Sequence, residues 1–407
     1  MGERPTAGRD PLAAARHLEG DGALEVLREA SRQAGARLVQ ATLRSVHHRP
    51  GRSVTHVYAA TLATGDQHHE VLLVAHVDAK PLPADSFVLQ QGADAVAVWR
   101  FPNDPFLPGL APAVHYQRVR ELLDTLDGPP GEVGLRTRAY RPTRRAVVEV
   151  TVTDPATTGA DARASGRLLY LKVLAGRRAD ELAELHRQLR TTVPVPRVVG
   201  VASRQGIVAF EAMAGATLRE AVVGGLPLPE PQALLELSHQ FAASGLRSRR
   251  DPRAFADPTR HLDFLGRYVP GAAADLQRLA AEIVGLDAPL VPVHGDLHDG
   301  QLLLADGAVT GVLDVDGAGP GHLVTDAGNL VAHLEVIGHV WPELADRARD
   351  YAAAVAEAYR PVVGDRPLAL ATAGAWIALA TGPHRAQDPG WETETEVRVA
   401  KALAAAR

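Results

Sequence analysis

The chain has 407 residues, enough for about two or three domains, and its 46% apolar and 22% charged residues are ordinary for a globular protein. A net charge of −5 argues against a nucleic-acid binder that works by neutralising phosphates. There is no cysteine, which excludes disulfides, thiolate nucleophiles and zinc–sulfur sites. The sequence contains neither a signal-peptide core nor an apolar run of membrane-spanning length. We therefore expect a cytoplasmic protein with no membrane or nucleic-acid partner.

The first part of the chain is predicted to be a β-rich cap domain over residues 1–128. A helical pattern gives way after residue 36 to segments with a period of two, which indicates strands. A helix over 112–126 closes the region, and "LDGPPGEVG" at 126–134 predicts a linker. The predicted strands are "ARLVQATLRSV", "RSVTHVYAATL", "HEVLLVAHV" and "AVAVWRF".

A small α/β lobe over 129–212 and a helical lobe over 213–407 are predicted to follow. The small lobe contains "YRPTRRAVVEVTV" and "RLLYLKVL" as strands, then the helix "RRADELAELHRQLR" and two more strands. Alanine-rich amphipathic patterns predict the last helices at 321–338, 342–359, 365–381 and 391–406. The order predicts the α+β class.

The stretch "VHGDLHDGQLLLADGAVTGVLDVDGAG" concentrates acids and imidazoles. Its second half predicts a hairpin with Asp306-Gly307 at the turn, which places Gln301 opposite Val312. Asp314 then shares a face with Val312 and is the diagonal neighbour of Gln301 across the hairpin. The Cα atoms of such neighbours lie about 7–8 Å apart, so the side chains of Gln301 and Asp314 could share a cation.

Two chemistries fit such a stretch, a metal hydrolase and a phosphoryl-transfer enzyme. A hydrolase would need several imidazoles with zinc-type spacing, which the sequence lacks, whereas an amide and a carboxylate suit Mg²⁺. Phosphoryl transfer also needs a positive clamp, and Lys172 is one of only three lysines in the chain. A helix bearing Glu181 and Glu184 begins shortly after this lysine, and either glutamate could orient it.

These motifs together resemble the aminoglycoside phosphotransferase and choline kinase superfamily, which has a protein-kinase-like fold. "HGDLHDGQ" is similar to the family's catalytic loop, usually HGDxHxxN, and "VLDVDGAG" is similar to its metal-binding loop. "RLLYLKVL", a glutamate twelve residues before "VPVP", and "IVAFEAMAGATL" are similar to its nucleotide lysine, helix partner and hinge. The resemblance covers about 135–407. The glutamine form of the loop and the preceding β-rich segment also resemble bacterial maltokinases and glucosamine kinases, which carry an N-terminal cap.

The resemblance implies a role for each matching residue. Asp296 becomes the catalytic base that accepts a hydroxyl proton, and Asp314 and Gln301 become Mg²⁺ ligands. Lys172 is implied to hold the ATP phosphates, with Glu181 as the glutamate that orients it. Glu184 is expected on a solvated face. The hinge 208–213 is implied to meet adenine, with Glu211 and Met213 as contacts.

Two departures from the family pattern matter. Gln301 replaces the usual asparagine and reaches about 1.5 Å further with the same carbonyl group. No glycine-rich phosphate loop precedes Lys172. Arg144 or Arg145 could clamp phosphate instead, or they could simply be charged residues at a strand end.

The sequence therefore predicts an ATP- and Mg²⁺-dependent kinase for a hydroxyl of a sugar, amino sugar or aminoglycoside. A nucleotide-binding pseudokinase and a metallohydrolase stay as alternatives. The protein is expected to be a monomer or homodimer. Candidate acceptor-binding residues are Asp316, His333, Glu335, Arg385 and Trp391.

Overall fold

The structure is a computed structural model that describes residues 18, 20–83, 86–91, 94–126, 131–153, 166–246 and 257–407. Contacts divide the chain into two units. The first is Met1–Ala179 with Ala202–Ile207 and Pro383–Pro389, and the second is Asp180–Val201, Val208–Gly382 and Gly390–Arg407. The predicted α+β class is confirmed, while the predicted boundaries at 128/129 and 212/213 stay predictions.

The first unit opens with helix α1 and an antiparallel five-stranded sheet of order β1-β2-β3-β5-β4. Helix α1 buries Val26 and Leu27 on one face, and this face packs with Tyr58, Val96 and Val98 in one apolar cluster. The β-rich region expected from the period-two pattern is therefore present, with β4 as a strand that the sequence did not reveal. The bounds are α1 Gly20–Gln33, β1 Arg37–Arg49, β2 Ser53–Thr64, β3 Gln67–Asp78, β4 Val88–Gln91 and β5 Asp94–Arg100.

Three further antiparallel strands of this unit pair in the order β6-β7-β8. Strand β7 alternates between buried and half-buried residues, as a strand with one covered face should. Two expectations need correction: β6 begins inside the expected linker, of which 127–130 lie outside the described residues, and "YRPTRRAVVEVTV" is split by a turn at 142–144. The bounds are α2 Leu110–Ala113, α3 Tyr116–Thr125, β6 Glu132–Arg141, β7 Arg145–Thr153 and β8 Arg167–Leu174.

A chain of hydrogen bonds fixes the turn between β6 and β7. The indole of Trp99 donates to the hydroxyl of Tyr140 at 2.9 Å, and this hydroxyl donates to Asp104 at 2.9 Å. The backbone N–H of Thr143 donates to the same carboxylate oxygen at 2.8 Å. Asp104 therefore holds the turn from the loop that follows β5.

The second unit is mainly helical. Its four predicted C-terminal helices are present, with ends shifted by a few residues, and they pack around large buried side chains such as Tyr359 and Trp376. Among the described helices, none is both long and apolar enough to cross a membrane. The helix bounds are α4 Arg178–Leu189, α5 Leu218–Val223, α6 Pro231–Ala243, α7 Leu262–Tyr268, α8 Ala273–Val284, α9 Leu323–Val340, α10 Ala345–Val363, α11 Asp365–Leu379, α12 Gly382–Ala386 and α13 Trp391–Ala405. Residues 178–179 of α4 and 383–386 of α12 belong to the first unit.

Two small sheets of the second unit flank the loop after β12 and the loop after β14. Strands β11, β13 and β14 form one, and β12 pairs with β15 in the other. The hairpin turn at Asp306-Gly307 is as predicted, but a bulge between Leu303 and Leu304 shifts the register, so that Leu302 lies opposite Val312. The strand bounds are β9 Val198–Ala202, β10 Ile207–Glu211, β11 Ala216–Thr217, β12 Leu290–Val293, β13 Leu302–Ala305, β14 Ala308–Val312 and β15 Gly319–His322.

Candidate active site

The loop from His294 to His298 lies between β12 and the short 3-10 turn Asp299–Gln301. The buried ring of His294 accepts from the N–H of Asp296 through Nδ1 at 3.3 Å, and its Nε2 lies 3.0 Å from the carbonyl of Leu313. These bonds require a neutral ring that carries its proton on Nε2. His294 thus ties the loop to the segment that precedes Asp314, which is a supporting role.

The carboxylate of Asp326, on the first turn of α9, caps the start of the same loop. It accepts from the N–H of His294 at 2.8 Å and from the N–H of Gly295 at 2.9 Å. Burial raises the pKa of Asp326, although the backbone donors oppose this shift. The residue is buried and serves to shape the loop.

Asp296 is the exposed member of this loop. Its Oδ1 lies 3.4 Å from the amide nitrogen of Asn329 on α9, which also donates to the carbonyl of Leu297 at 2.9 Å. When an amide donates to one oxygen of an exposed carboxylate, the other oxygen can accept a proton from a bound hydroxyl. Asn329 therefore orients both the side chain of Asp296 and the backbone that follows it.

Asp299 is a buried carboxylate in the 3-10 turn and is paired with Arg219 on α5. Nε and Nη2 of Arg219 donate to its two oxygens at 2.6 and 3.1 Å. Burial disfavours the charged form of Asp299, but His298, His333 and Arg219 outweigh it and hold the pKa of this carboxyl well below its usual range. Asp299 is therefore ionised and fixes the turn to α5.

His298 and His333 stack face to face beside this carboxylate, with ring centroids 4.5 Å apart. His298 accepts from the N–H of Gly300 through Nδ1 at 3.0 Å, and Nδ1 of His333 lies 3.6 Å from Asp299. Burial lowers the pKa of His333, against the opposing pull of Asp299. The pair joins α9 to the catalytic loop.

His298, Asp299 and His333 also form the group that could hold a metal ion within the described part of the chain, with ligand atoms within 4.8 Å of one another. The contacts do not favour that use. Both oxygens of Asp299 are engaged by a guanidinium, whose positive charge would repel a cation, and Nδ1 of His298 already accepts a hydrogen bond. The group is better described as a hydrogen-bonded support.

Gln301 and Asp314 fit a magnesium ion better. The Oε1 atom of Gln301 is buried and has no hydrogen-bond partner among the described residues, although the side chain is only 5% exposed. A buried carbonyl oxygen without a donor is suited to a cation. The N–H of Leu313 donates to the carbonyl of Gln301 at 2.8 Å, and Asp314 follows with a left-handed φ of 56°. The hydrogen bond of Leu313 therefore places Gln301 beside the segment of Asp314 at the base of the hairpin. The observed pairing differs by one residue from the predicted one, because Leu302 and not Gln301 lies opposite Val312.

In the first unit, Lys172 lies in β8 opposite Val147 and is 8% exposed, so it is a buried lysine within a strand. Arg145 is the first residue of β7, and Arg144 is the last residue of the turn before it. In the second unit, Glu181 is exposed on the first turn of α4. Glu184 is exposed and accepts from Gln188 at 2.9 Å, so its expected solvated position is confirmed.

The hinge residues lie after β9 in the second unit. Glu211 ends β10 and is bound by the guanidinium of Arg197, whose Nε donates at 2.7 Å. Met213 packs against Gly311 of β14 so closely that a Cβ on that glycine would lie 2.8 Å from its terminal methyl group. Met213 is therefore held against the hairpin that carries Gln301.

The candidate acceptor residues do not form one cluster. His333 faces the catalytic loop, whereas Glu335, two positions on along α9, accepts from the indole of Trp376 at 2.7 Å. Trp391 packs edge-on against Tyr268 at 4.9 Å. Asp316 is half-buried in the turn after Asp314, and Arg385 is an exposed residue of the first unit.

Three residues that contact the loop were not identified from the sequence: Arg219, Asp299 and Asn329. Asn329 could have been found, because it is one of only two asparagines in a chain whose composition is biased against that residue. Asp299 and Arg219 gave no such signal, since an aspartate in a polar loop and an arginine on a short helix are ordinary surface residues.

Comparison with known families identifies the chain's relationship. The model of the phosphotransferase enzyme family matches residues 164–367. The chain belongs to this family. The resemblance drawn from the motifs is confirmed, and so is the protein-kinase-like fold that it implied, with a β-rich region before it. No curated protein gives a significant match.

Several solved structures are similar to this chain. A thermostable mutant of the aminoglycoside phosphotransferase APH(4)-Ia, in its apo form, is 16% identical, with 70% of this chain and 97% of that chain covered and a TM-score of 0.48. A choline/ethanolamine kinase family protein from Mesorhizobium loti is 17% identical, with 70% and 90% covered and a TM-score of 0.44. Similarity at this level assigns neither nucleotide nor acceptor to the chain.

Proposed function

We propose that the protein is an ATP- and Mg²⁺-dependent kinase that transfers the γ-phosphate to a hydroxyl of a sugar, amino sugar or aminoglycoside. The observation that carries the proposal is Asp296, an exposed carboxylate in a hydrogen-bonded loop of a phosphotransferase-family chain. An exposed aspartate oriented by an amide donor can accept the proton of a hydroxyl as it attacks phosphorus.

The remaining roles follow the family motifs. Gln301 and Asp314 would hold Mg²⁺, which when bound neutralises charge on the phosphates. Lys172 would hold the α- and β-phosphates with Glu181 as its orienting partner, and Arg144 or Arg145 would supply the charge that a glycine-rich loop supplies elsewhere. The hinge stretch with Glu211 and Met213 would receive the adenine.

Acceptor recognition is proposed for the part of the second unit that carries Asp296. His333 is the candidate that the geometry favours, since it shares a helix face with Asn329 and stacks on His298. Asp316 lies in the turn after Asp314 and is a second candidate. Glu335 accepts a hydrogen bond from Trp376, so we assign it a structural role and not an acceptor-binding one.

The test is ADP release with Mg²⁺ and ATP over a panel of sugars, amino sugars and aminoglycosides. For the best acceptor, Asp296→Ala should lower kcat by about 10²–10⁴-fold with ATP affinity retained. Asp287→Ala is the control, since Asp287 is an exposed aspartate of the same unit. Full turnover in Asp296→Ala would refute the assignment of the base.

Two other outcomes would replace the proposal. ATP binding without transfer to any acceptor would identify a pseudokinase. Stoichiometric zinc with ATP-independent hydrolysis would identify a metallohydrolase, for which the histidines around Asp299 would be the first residues to test.

A further inference from the structure

A basic recess lies in the first unit, between the turn that joins β1 to β2 and the turn that joins β6 to β7. The recess is small and partly open to solvent. All of its lining residues belong to the first unit. They are His47, His48, Arg49, Ser53, Thr55, Arg141, Pro142, Thr143 and Arg144.

Positive charge is concentrated in this recess. Burial and the neighbouring Arg141, Arg49, Arg145 and Arg178 lower the pKa of Arg144 to about 9. Burial and the neighbouring Arg52 likewise lower the pKa of Arg49, against the opposing effect of Asp78. Neither Arg49 nor Arg144 forms an ion pair among the described residues. Arginines held together without counterions raise the free energy of the folded protein, so an anion at this place would stabilise it.

The two nearby carboxylates are committed elsewhere. Asp104 accepts from the N–H groups of Thr143 and Phe106 and from the hydroxyl of Tyr140. Asp78 lies 3.4 Å from Nε2 of His76 and accepts from the N–H of Lys80. Neither forms an ion pair with Arg49 or Arg144, so these two guanidinium charges are not compensated by the described residues.

The recess also offers neutral hydrogen-bonding groups. The Nδ1 atom of His47 is buried without a hydrogen-bond partner in the described residues, and burial followed by the surrounding arginines lowers the pKa of His47 to about 3. A neutral imidazole can donate from that nitrogen to an oxyanion. Ser53 and Thr55 bring hydroxyl groups to the same wall.

One side of the recess is held in a strained conformation. Thr143 has a φ of 63°, which is unusual for a β-branched residue, and its N–H is fixed by Asp104. Strained backbone that the surrounding structure keeps in place is often found at ligand-binding and catalytic sites. Here it sets the turn in which Arg141 and Arg144 flank Pro142 and Thr143.

We propose that this recess is a binding site for a tetrahedral oxyanion, a phosphate group, formed by arginines and a histidine from the cap sheet and the β6–β7 turn. Guanidinium groups on two different turns can each offer paired N–H donors to such a group. The phosphate could belong to a nucleotide or be free inorganic phosphate. The nucleotide case rests on the proposed kinase function, and the free-phosphate case does not.

The test is binding of inorganic phosphate to the full-length protein by calorimetry and thermal unfolding, without Mg²⁺ or acceptor. Phosphate should raise the melting temperature by roughly 2–5 °C, and Arg144→Gln or Arg49→Gln should weaken binding by about tenfold or more. Arg136→Gln and Arg44→Gln are matched controls, because these exposed arginines lie on β6 and β1 and carry the same charge.

A second readout separates a binding role from a structural one. In anion-free buffer Arg144→Gln should melt at the same temperature as the parent protein or above it, because the substitution removes repulsion. Competition between phosphate and ADP would identify the nucleotide as the source, and simultaneous binding would identify free phosphate. Equal loss of phosphate affinity in the control variants, no phosphate binding at all, or a lower melting temperature for Arg144→Gln would overturn the proposal. Each result is independent of whether any acceptor is phosphorylated.

Discussion

At the scale of single residues, the proposed catalytic loop, residues 294–301, takes its shape from one face of α9. Asp326, Asn329 and His333 follow one another at intervals of three and four residues, which places them on the same side of a helix. Each contacts a different part of the loop: the N–H groups at its start, Asp296 at its centre, and Asp299 at its end. The loop is thus held by side chains distant in sequence.

The role of Asn329 can be tested by Asn329→Ala. Without this amide the carboxylate of Asp296 can rotate away from the orientation that the hydrogen bond fixes. The kcat for the best acceptor should therefore fall by about tenfold, with little change in KM for ATP. Steady-state kinetics measures both values. Asn103→Ala removes the only other asparagine and is the control. A raised KM for ATP with unchanged kcat would contradict a positioning role.

The sequence motifs predicted the exposed and charged members of the candidate site more readily than its supports. Asp296 was assigned through the "HGDLHDGQ" motif, and Gln301 through its place in that motif. Asp299 lies within the same motif, but its function depends on Arg219, which is 80 residues away along the chain. No local pattern encodes such a pair, because its stabilisation arises only from burial after folding.

At the scale of elements, two loops cross closely at the site. Gly295 has a φ of 83°, and a Cβ at this position would lie 2.8 Å from the carbonyl oxygen of Gly317. The catalytic loop and the turn after Asp314 therefore touch through their backbones. This contact, like the hydrogen bond from His294 to Leu313, keeps the predicted base and the predicted metal ligand in adjacent segments.

Gly295→Ala should therefore destabilise the protein. The left-handed φ and the close carbonyl oxygen together should cost about 2–3 kcal/mol of unfolding free energy, measured by urea denaturation. Gly225→Ala is the matched control: its φ is 69° but nothing lies within 4 Å of the added Cβ, so a loss of about 1 kcal/mol is expected. Equal losses in both variants would show that the crossing of the loops adds no constraint.

The hairpin β13–β14 marks the limit of what the sequence could predict at this scale. Asp306-Gly307 has the residues of a tight turn, and the turn forms there. The extra residue of the bulge is Thr310 of β14, because Leu303 pairs with Gly311 and Leu304 pairs with Val309. The neighbouring Gly311 is compatible with an irregular strand, but a single glycine does not specify where the register shifts. The pairing of Gln301 was consequently predicted one residue off, although its place beside the segment of Asp314 was close to the observed one.

At the scale of the whole molecule, the apolar clusters of the described residues follow the two units. The cluster around Leu27 and Tyr58 lies within the first unit, and the cluster around Leu334 and Tyr359 lies within the second. Periodicity predicted the elements of both, since α1, β2 and the C-terminal helices all show their expected patterns. It could not predict which helices share a core, because every amphipathic helix offers the same kind of face.

Separate cores predict separate responses to cavities. Leu27→Ala and Leu334→Ala each remove a fully buried side chain, at a cost of about 2–5 kcal/mol. Hydrogen exchange should accelerate in β2 and β3 for the first variant and in α9 and α10 for the second. Val39→Ala, at a half-exposed position of β1, should change neither pattern. Equal acceleration throughout the chain in both variants would indicate a single cooperative unit.

The ion pair of Arg219 and Asp299 has a consequence for how the protein folds. The two residues are 80 positions apart, so the pair closes a long loop, and loop closure must precede the contacts that reward it. Until α5 has docked, the carboxylate of Asp299 has no guanidinium partner and favours water over the interior. We therefore expect the turn after Asp296 to reach its final shape late in refolding, after the helices and hairpins that depend on local contacts.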